Sequence, residues 1–220
     1  MADPLSTAVS VLALAISATT AWLTLFRRGT VRMTKPTVIY FGPDTLSQEP
    51  FAPNGPPSLA KIYLRALLFP TSKRGGVIES MHVSLSRNET HQNFNIWVYG
   101  DEKLVRGSGL FIGETGIATN HHFLAPTDVG HAYRFVAGKY RLDVFAQLLG
   151  ERQRKILFTQ TLEVSPENAA LLDKPGYGLY FDWGPDASCY LPHAEHRQSP
   201  PDLGEALRDL FAPTTKEESK

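Results

Sequence analysis

The chain has 220 residues, 42% of them hydrophobic, and its 22 basic and 22 acidic side chains leave a formal net charge of zero. Balanced charge excludes the electrostatic footprint of a nucleic-acid binder. The lone cysteine, Cys189, excludes an intramolecular disulfide framework and fits a reducing compartment.

Residues 1–4 form a short N-terminus, and from Leu5 to Phe26 no charge interrupts the sequence. At about 1.5 Å per residue a helix of this length crosses a hydrocarbon core of roughly 30 Å. A cleaved signal peptide would carry Lys or Arg before a shorter apolar core. Here the bases follow the run, at Arg27, Arg28, Arg32 and Lys35 in a juxtamembrane segment 27–35. That bias keeps its flank on the cytoplasmic side, so a single-pass membrane protein with a cytoplasmic C-terminal domain is expected. Within the run, Ser6, Ser10, Ala13, Ser17, Thr20 and Thr24 are spaced four, three, four, three, four. This is the period of a left-handed helix pair. Small residues let backbones approach in lipid, so these six form a candidate packing seam for a second copy or a partner's membrane helix. Common Ser and Thr usage in single spans is the bland alternative.

Residues 36–165 predict a β domain. A first strand covers Lys35 to Gly42, with Pro36 near its start. Pro43, Pro50, Pro53, Gly55, Pro56 and Pro57 then mark a loop. Lys61 to Phe69 is a dense apolar run. After a turn at 71–76, Val77, Met81, Val83 and Leu85 alternate with Ile78, Ser80, His82 and Ser84, the period of a half-buried strand. A hairpin at Arg87 to Thr90 leads to Phe94, Ile96 and Val98, which alternate with Asn95, Trp97 and Tyr99. Further strands are expected at Leu104 to Gly113 and Ile117 to Leu124, and then as a pair, Tyr140 to Ala146 and Ile156 to Val164, around a turn at 150–152. Short strands without intervening helices indicate an antiparallel sandwich or barrel.

The run Phe135-Val136-Ala137-Gly138-Lys139-Tyr140-Arg141-Leu142-Asp143-Val144 resembles the Gly-x-Tyr-x-Leu-x-Val strand entry of immunoglobulin-like β-sandwiches. The resemblance implies that architecture, with a tyrosine at the corner bonding back to upstream backbone. It implies no immune role, because the Cys and Trp pattern of antibody domains is missing. The fold class expected is therefore mainly β, an antiparallel immunoglobulin-like sandwich preceded by one transmembrane α-helix. Residues 166–192, with Tyr177, Tyr180 and Trp183, are expected as an aromatic-rich annex laid on the sandwich. Residues 193–220 are expected to hold a short helix at Asp202 to Phe211 and a polar tail.

Several segments carry candidate chemistry. Arg106-Gly107-Ser108-Gly109 followed by Thr119-Asn120-His121-His122 is similar to the strand and turn that bear the general-base histidine of trypsin-like serine proteases, which would make His122 the base. A triad also needs a nucleophilic serine beside an oxyanion hole. No Gly-x-Ser-Gly turn follows, and too few residues remain for a second barrel. A hairpin with histidines at a strand edge is the retained reading, and Asn120, His121 and His122 stay as a candidate polar site. Cys189, His193 and His196 have zinc-ligand chemistry but no recognised chelating spacing, so no metal or other cofactor is expected. Trp97, Tyr99, Tyr177, Tyr180 and Trp183 are candidate interaction aromatics, since such rings give contact area at low entropic cost. Asn88-Glu89-Thr90 has the form of a glycosylation acceptor, which a cytoplasmic domain would never expose to the machinery. The function expected is a membrane-anchored protein interaction or assembly module, partnered by a protein or by a second copy. The alternative is a ligand- or metal-binding, even hydrolytic, domain built on Asn120, His121 and His122.

Overall fold

A computed structural model of the protein describes residues 3–23, 29–44, 59–100, 105–107, 109–126 and 133–196. Asp3 begins the first helix, α1 (Pro4–Ala21), by accepting a hydrogen bond from the Leu5 amide at 3.2 Å, with Pro4 in the first turn. No residue of α1 is buried. Its hydroxyls turn back on the helix: Ser10 donates to the Ser6 carbonyl at 2.9 Å, Thr19 to Ala15 and Thr20 to Ile16, both at 2.8 Å. Such bonds satisfy polar groups that lipid could not. The helix is long and apolar enough to cross a membrane, and a signal sequence would pass the same test.

Among the described residues thirteen strands follow, with one short helix among them. In chain order they are β1 (Val31–Met33), β2 (Val38–Pro43), β3 (Ala60–Pro70), β4 (Gly76–Arg87), β5 (Thr90–Phe94), β6 (Ile96–Tyr99), β7 (Val105–Arg106), β8 (Leu110–Ile112), β9 (Ile117–Leu124), β10 (Gly138–Leu148) and β11 (Lys155–Val164), then α2 (Pro166–Leu172), β12 (Tyr177–Gly184) and β13 (Cys189–His196). An eight-stranded sheet runs β13-β12-β2-β3-β9-β6-β7, with β1 also on β3. A five-stranded sheet runs β11-β10-β4-β5, with β8 also on β4. Every pairing is antiparallel. The sheets share one core to which both contribute fully buried residues: Ile39, Phe41, Ile62, Leu64, Phe123 and Phe181 from the larger, and Ile78, Val83, Phe94, Tyr140 and Val144 from the smaller. Phe41 of β2 meets Tyr140 of β10 edge-on at 6.0 Å, bridging the two. The chain is thus mainly β, with one exposed apolar helix at its N-terminus.

The first expected strand, Lys35 to Gly42, starts only at Val38, beyond Pro36, which has no amide to give the ladder. The Tyr190 hydroxyl donates to the Pro36 carbonyl at 2.7 Å, and the Leu67 amide donates to the Thr34 hydroxyl at 3.1 Å. The Tyr140 hydroxyl donates to the Val136 carbonyl at 2.7 Å, at the entry to β10.

Four expectations need correction. The aromatic-rich stretch is no annex, since β12 pairs with β2 and β13 with β12, adding two strands to the larger sheet. Leu104 to Gly113 is not one strand. β7 joins β6 in the larger sheet and β8 joins β4 in the smaller, parted at Gly107, whose backbone lies against the Trp97 ring. In β4 the alternation shifts, because Glu79 is an extra residue between the pairs Leu148↔Ile78 and Gln147↔Ser80, so Ile78 points into the core. At Asn95 the chain leaves the smaller sheet for the larger, which resets the alternation and turns Trp97 inward. The helix expected at Asp202 to Phe211, and Thr24 of the seam, lie outside the described residues.

Candidate functional site

Neighbouring side chains on a strand point to opposite faces. On β9 this separates the expected polar trio. His121 faces the core and is 0% exposed, between Trp97 and Phe123, with ring centroids 6.1 and 6.5 Å away. The Trp97 indole N–H donates to His121 Nδ1 at 3.3 Å, which assigns the ring proton to Nε2, a buried atom with no hydrogen-bond partner. Burial, reinforced by the neighbouring His122, lowers the His121 pKa to about 4. His121 is a neutral core histidine. Asn120 and His122 face the other way, where the Tyr63 hydroxyl donates to Asn120 Oδ1 at 2.9 Å and the Tyr63 ring lies 5.0 Å from His122. The three residues therefore do not converge on one substrate.

His122 instead belongs to a row that runs directly across the sheet. In register, His193 opposes Tyr180, Tyr180 opposes Tyr40, Tyr40 opposes Tyr63, and Tyr63 opposes His122. All five lie on the face turned away from the smaller sheet. The Tyr180 ring stacks on His193 at 5.4 Å and tilts against Tyr40 at 4.9 Å. Gly42 and Gly178 leave room for the Tyr40 ring, which a Cβ at either position would strike. Next to the row, Lys61 and Asp44 form a buried ion pair at 3.0 Å. His193 Nδ1 lies 3.3 Å from Asp182 Oδ2 in a half-exposed pair. The row escapes a reading along the chain because its members come from five strands that only register brings side by side. The available signal was a Tyr or His at one outward position of each strand.

The interaction aromatics are dispersed. Trp97 is only 4% exposed, which overturns its reading as a surface residue, and Tyr99 is half-buried with its hydroxyl donating to the Gly109 carbonyl at 2.7 Å. Tyr177 and Trp183 share the inward-turned side of β12, where Tyr177 meets His196 at 4.8 Å and Trp183 meets Tyr190 at 5.2 Å. Tyr180 lies on the opposite side. Lys35 Nζ sits 4.2 Å above the Trp183 ring.

The weak metal candidates are not brought together either. Cys189 and His193 share a face of β13 but lie about 13 Å apart at strand spacing, and His196 projects from the other face. Among the described residues no group of three metal-ligating side chains converges.

On the smaller sheet the outward face is a hydrogen-bonded polar network. Ser86 Oγ lies 3.0 Å from His91 Nδ1, and Asn93 Oδ1 lies 3.1 Å from His91 Nε2. Thr159 donates to Asp143 at 2.6 Å, and Arg141 Nε to the same carboxylate at 3.0 Å. Beside them His82 stacks on Phe145 at 4.9 Å. Burial first and Arg154 second lower its pKa.

A scan of the chain against protein-family models finds no match, and a search of curated proteins finds no relative.

Proposed function

We propose that the chain is a single-span membrane protein whose immunoglobulin-like sandwich lies on the cytoplasmic side and acts as an interaction or assembly module. The observation that carries this reading is α1: its apolar side chains are exposed along its whole length, while most large hydrophobics of the sandwich are gathered into their own core. A bilayer is the environment that covers such a helix. The cytoplasmic side follows from the bases at Arg27, Arg28, Arg32 and Lys35. The Tyr140 to Val136 hydrogen bond supports the immunoglobulin-like kinship. Tethering in two dimensions raises the effective concentration of any protein held beside it, and the seam at Ser6, Ser10, Ala13, Ser17 and Thr20 would add contact between membrane helices.

Mass spectrometry of material copurifying with the full chain after gentle extraction from its membrane tests the reading. A stoichiometric protein partner, lost on replacing Ser10, Ala13 and Ser17 by Leu while the chain stays in the membrane, is the expected result. A chain recovered alone, or carrying only a small ligand, overturns it.

A further inference from the structure

The end of the sandwich that the chain enters from α1 is assembled from turns distant in sequence. Thr30 and Thr71 are tied by two bonds of 2.8 Å, from the Thr71 amide to the Thr30 carbonyl and from the Thr30 amide to the Thr71 hydroxyl. Lys155 Nζ donates to the Thr30 hydroxyl at 2.7 Å. β8 pairs with the start of β4, setting Phe111 opposite Val77, and the Leu149 amide donates to the Val77 carbonyl at 2.9 Å. The β3–β4 turn, the β8–β9 turn and the β10–β11 hairpin thus meet beside Thr30. Residues 24–28 alone connect Leu23 with Gly29, a reach of about 20 Å at full extension. This end therefore stays close to the point where the chain leaves α1.

Its surface has two properties that belong together at a lipid headgroup layer. Phe111 and Leu149 stand 64% and 62% exposed at the tips, among the most exposed large hydrophobics outside α1. Around them Lys73, Arg74, Arg152 and Arg154 are exposed on the turns, with Arg32 on the neighbouring strand. Of the nearby acids, Glu151 is engaged by Lys155 at 2.8 Å, and Glu79 and Glu114 are exposed, fewer than the bases around them. The opposite end exposes Glu89, Glu163, Glu167 and Asp173 beside Arg134, Lys139 and Lys174, so its charges nearly balance.

We propose that this end docks on an anionic membrane surface, with Phe111 and Leu149 entering the headgroup layer and Lys73, Arg74, Arg152 and Arg154 facing lipid phosphates. The proposal rests on α1 being a retained anchor. Basic residues near an anionic leaflet attract it within a Debye length, and isolated apolar tips supply the interfacial contact. The short connection between α1 and Gly29 holds both within range. Docking fixes the long axis of the sandwich across the membrane plane and presents the opposite end to the cytoplasm.

The test uses the full chain in nanodiscs, with Cys189→Ser and one new cysteine carrying a fluorophore, either Glu114→Cys at the near end or Glu89→Cys at the far one. Headgroup-spin-labelled lipid is the quencher. With about 30% phosphatidylserine, strong quenching is expected at position 114 and little at 89. Lys73→Glu with Arg74→Glu should lower the docked-to-undocked ratio by about tenfold or more. Phe111→Asp, or about 0.5 M salt, should act in the same direction. Equal quenching at both positions, or quenching at 114 indifferent to charge reversal, overturns docking. Alkaline carbonate extraction of the same protein from membranes reads the anchor separately. Retention with equal quenching defeats docking alone, and release into the supernatant defeats the anchor and docking together.

Discussion

The membrane-type helix and the sandwich use similar apolar side chains in opposite ways. Leu5, Leu12, Leu14 and Ile16 on α1 are exposed, whereas Ile39, Ile62, Leu64 and Leu68 in the larger sheet are fully buried. The sandwich covers most of its hydrophobic surface and α1 leaves its surface bare. A polypeptide in water does not leave an apolar helix bare at no cost, so under the proposed reading the two parts answer to different solvents. Each should fail under different perturbations.

The largest effect is expected from charging the helix. Ala13→Arg with Leu14→Arg puts two guanidinium groups near its middle, a penalty of about 5–7 kcal/mol on an insertion scale. Membrane retention on alkaline extraction should collapse while the sandwich unfolds at an unchanged denaturant midpoint. The converse variant is Phe41→Ala. It removes a fully buried ring that stacks on Phe135 at 4.9 Å and meets Phe181 at 5.2 Å, costing about 3–5 kcal/mol. Denaturation followed in detergent should show that loss, with retention unaltered.

Acid should weaken the sandwich and spare the helix, which carries no histidine. The folded His121 titrates near 4, below its ordinary 6.5, so between those values the unfolded chain takes up the proton and the folded chain does not. Stability should fall by about 3 kcal/mol as pH drops from 6.5 to 4, then level off for this group. His121→Gln, which keeps an acceptor for the Trp97 indole, should flatten that part of a stability profile. A smaller loss, about 1 kcal/mol, is expected from Tyr140→Phe, which removes the bond to Val136 and leaves the ring packed. Smallest of all, Ser10→Leu with Ala13→Leu and Ser17→Leu should weaken self-association by about 0.6 kcal/mol. Gel filtration in detergent would register it as a shift toward the monomer, with no change in unfolding.

The sequence made the strands legible wherever one face is apolar and the other polar. β9, β10 and β11 fall within a few residues of their expected bounds for that reason. Alternation failed where one residue breaks the count: Glu79 bulges out of the β4–β10 ladder, and Asn95 passes the chain between sheets. It failed differently in β12, where Tyr177, Tyr180, Phe181 and Trp183 crowd both faces and no period of two survives. The Asn120, His121 and His122 grouping was avoidable, since consecutive strand residues cannot share a face. The cross-sheet row of His193, Tyr180, Tyr40, Tyr63 and His122 is not legible, because register between separate strands, that of Tyr40 with Tyr180 above all, is settled by packing and not by local pattern.

The anchored, cytoplasmic arrangement is tested most directly by the chain's own acceptor tripeptide. Asn88 sits at the exposed tip of the β4–β5 hairpin, in a left-handed conformation with φ of 52°, at the far end of a twelve-residue strand. It is open to modification if that end ever meets the glycosylation machinery. Expressed in eukaryotic cells with a second acceptor on a short N-terminal extension, the protein should be glycosylated on the extension and not at Asn88, and should resist alkaline extraction. A glycan on Asn88, removed by endoglycosidase and abolished by Thr90→Ala, would put the sandwich on the other side of the membrane and contradict the account.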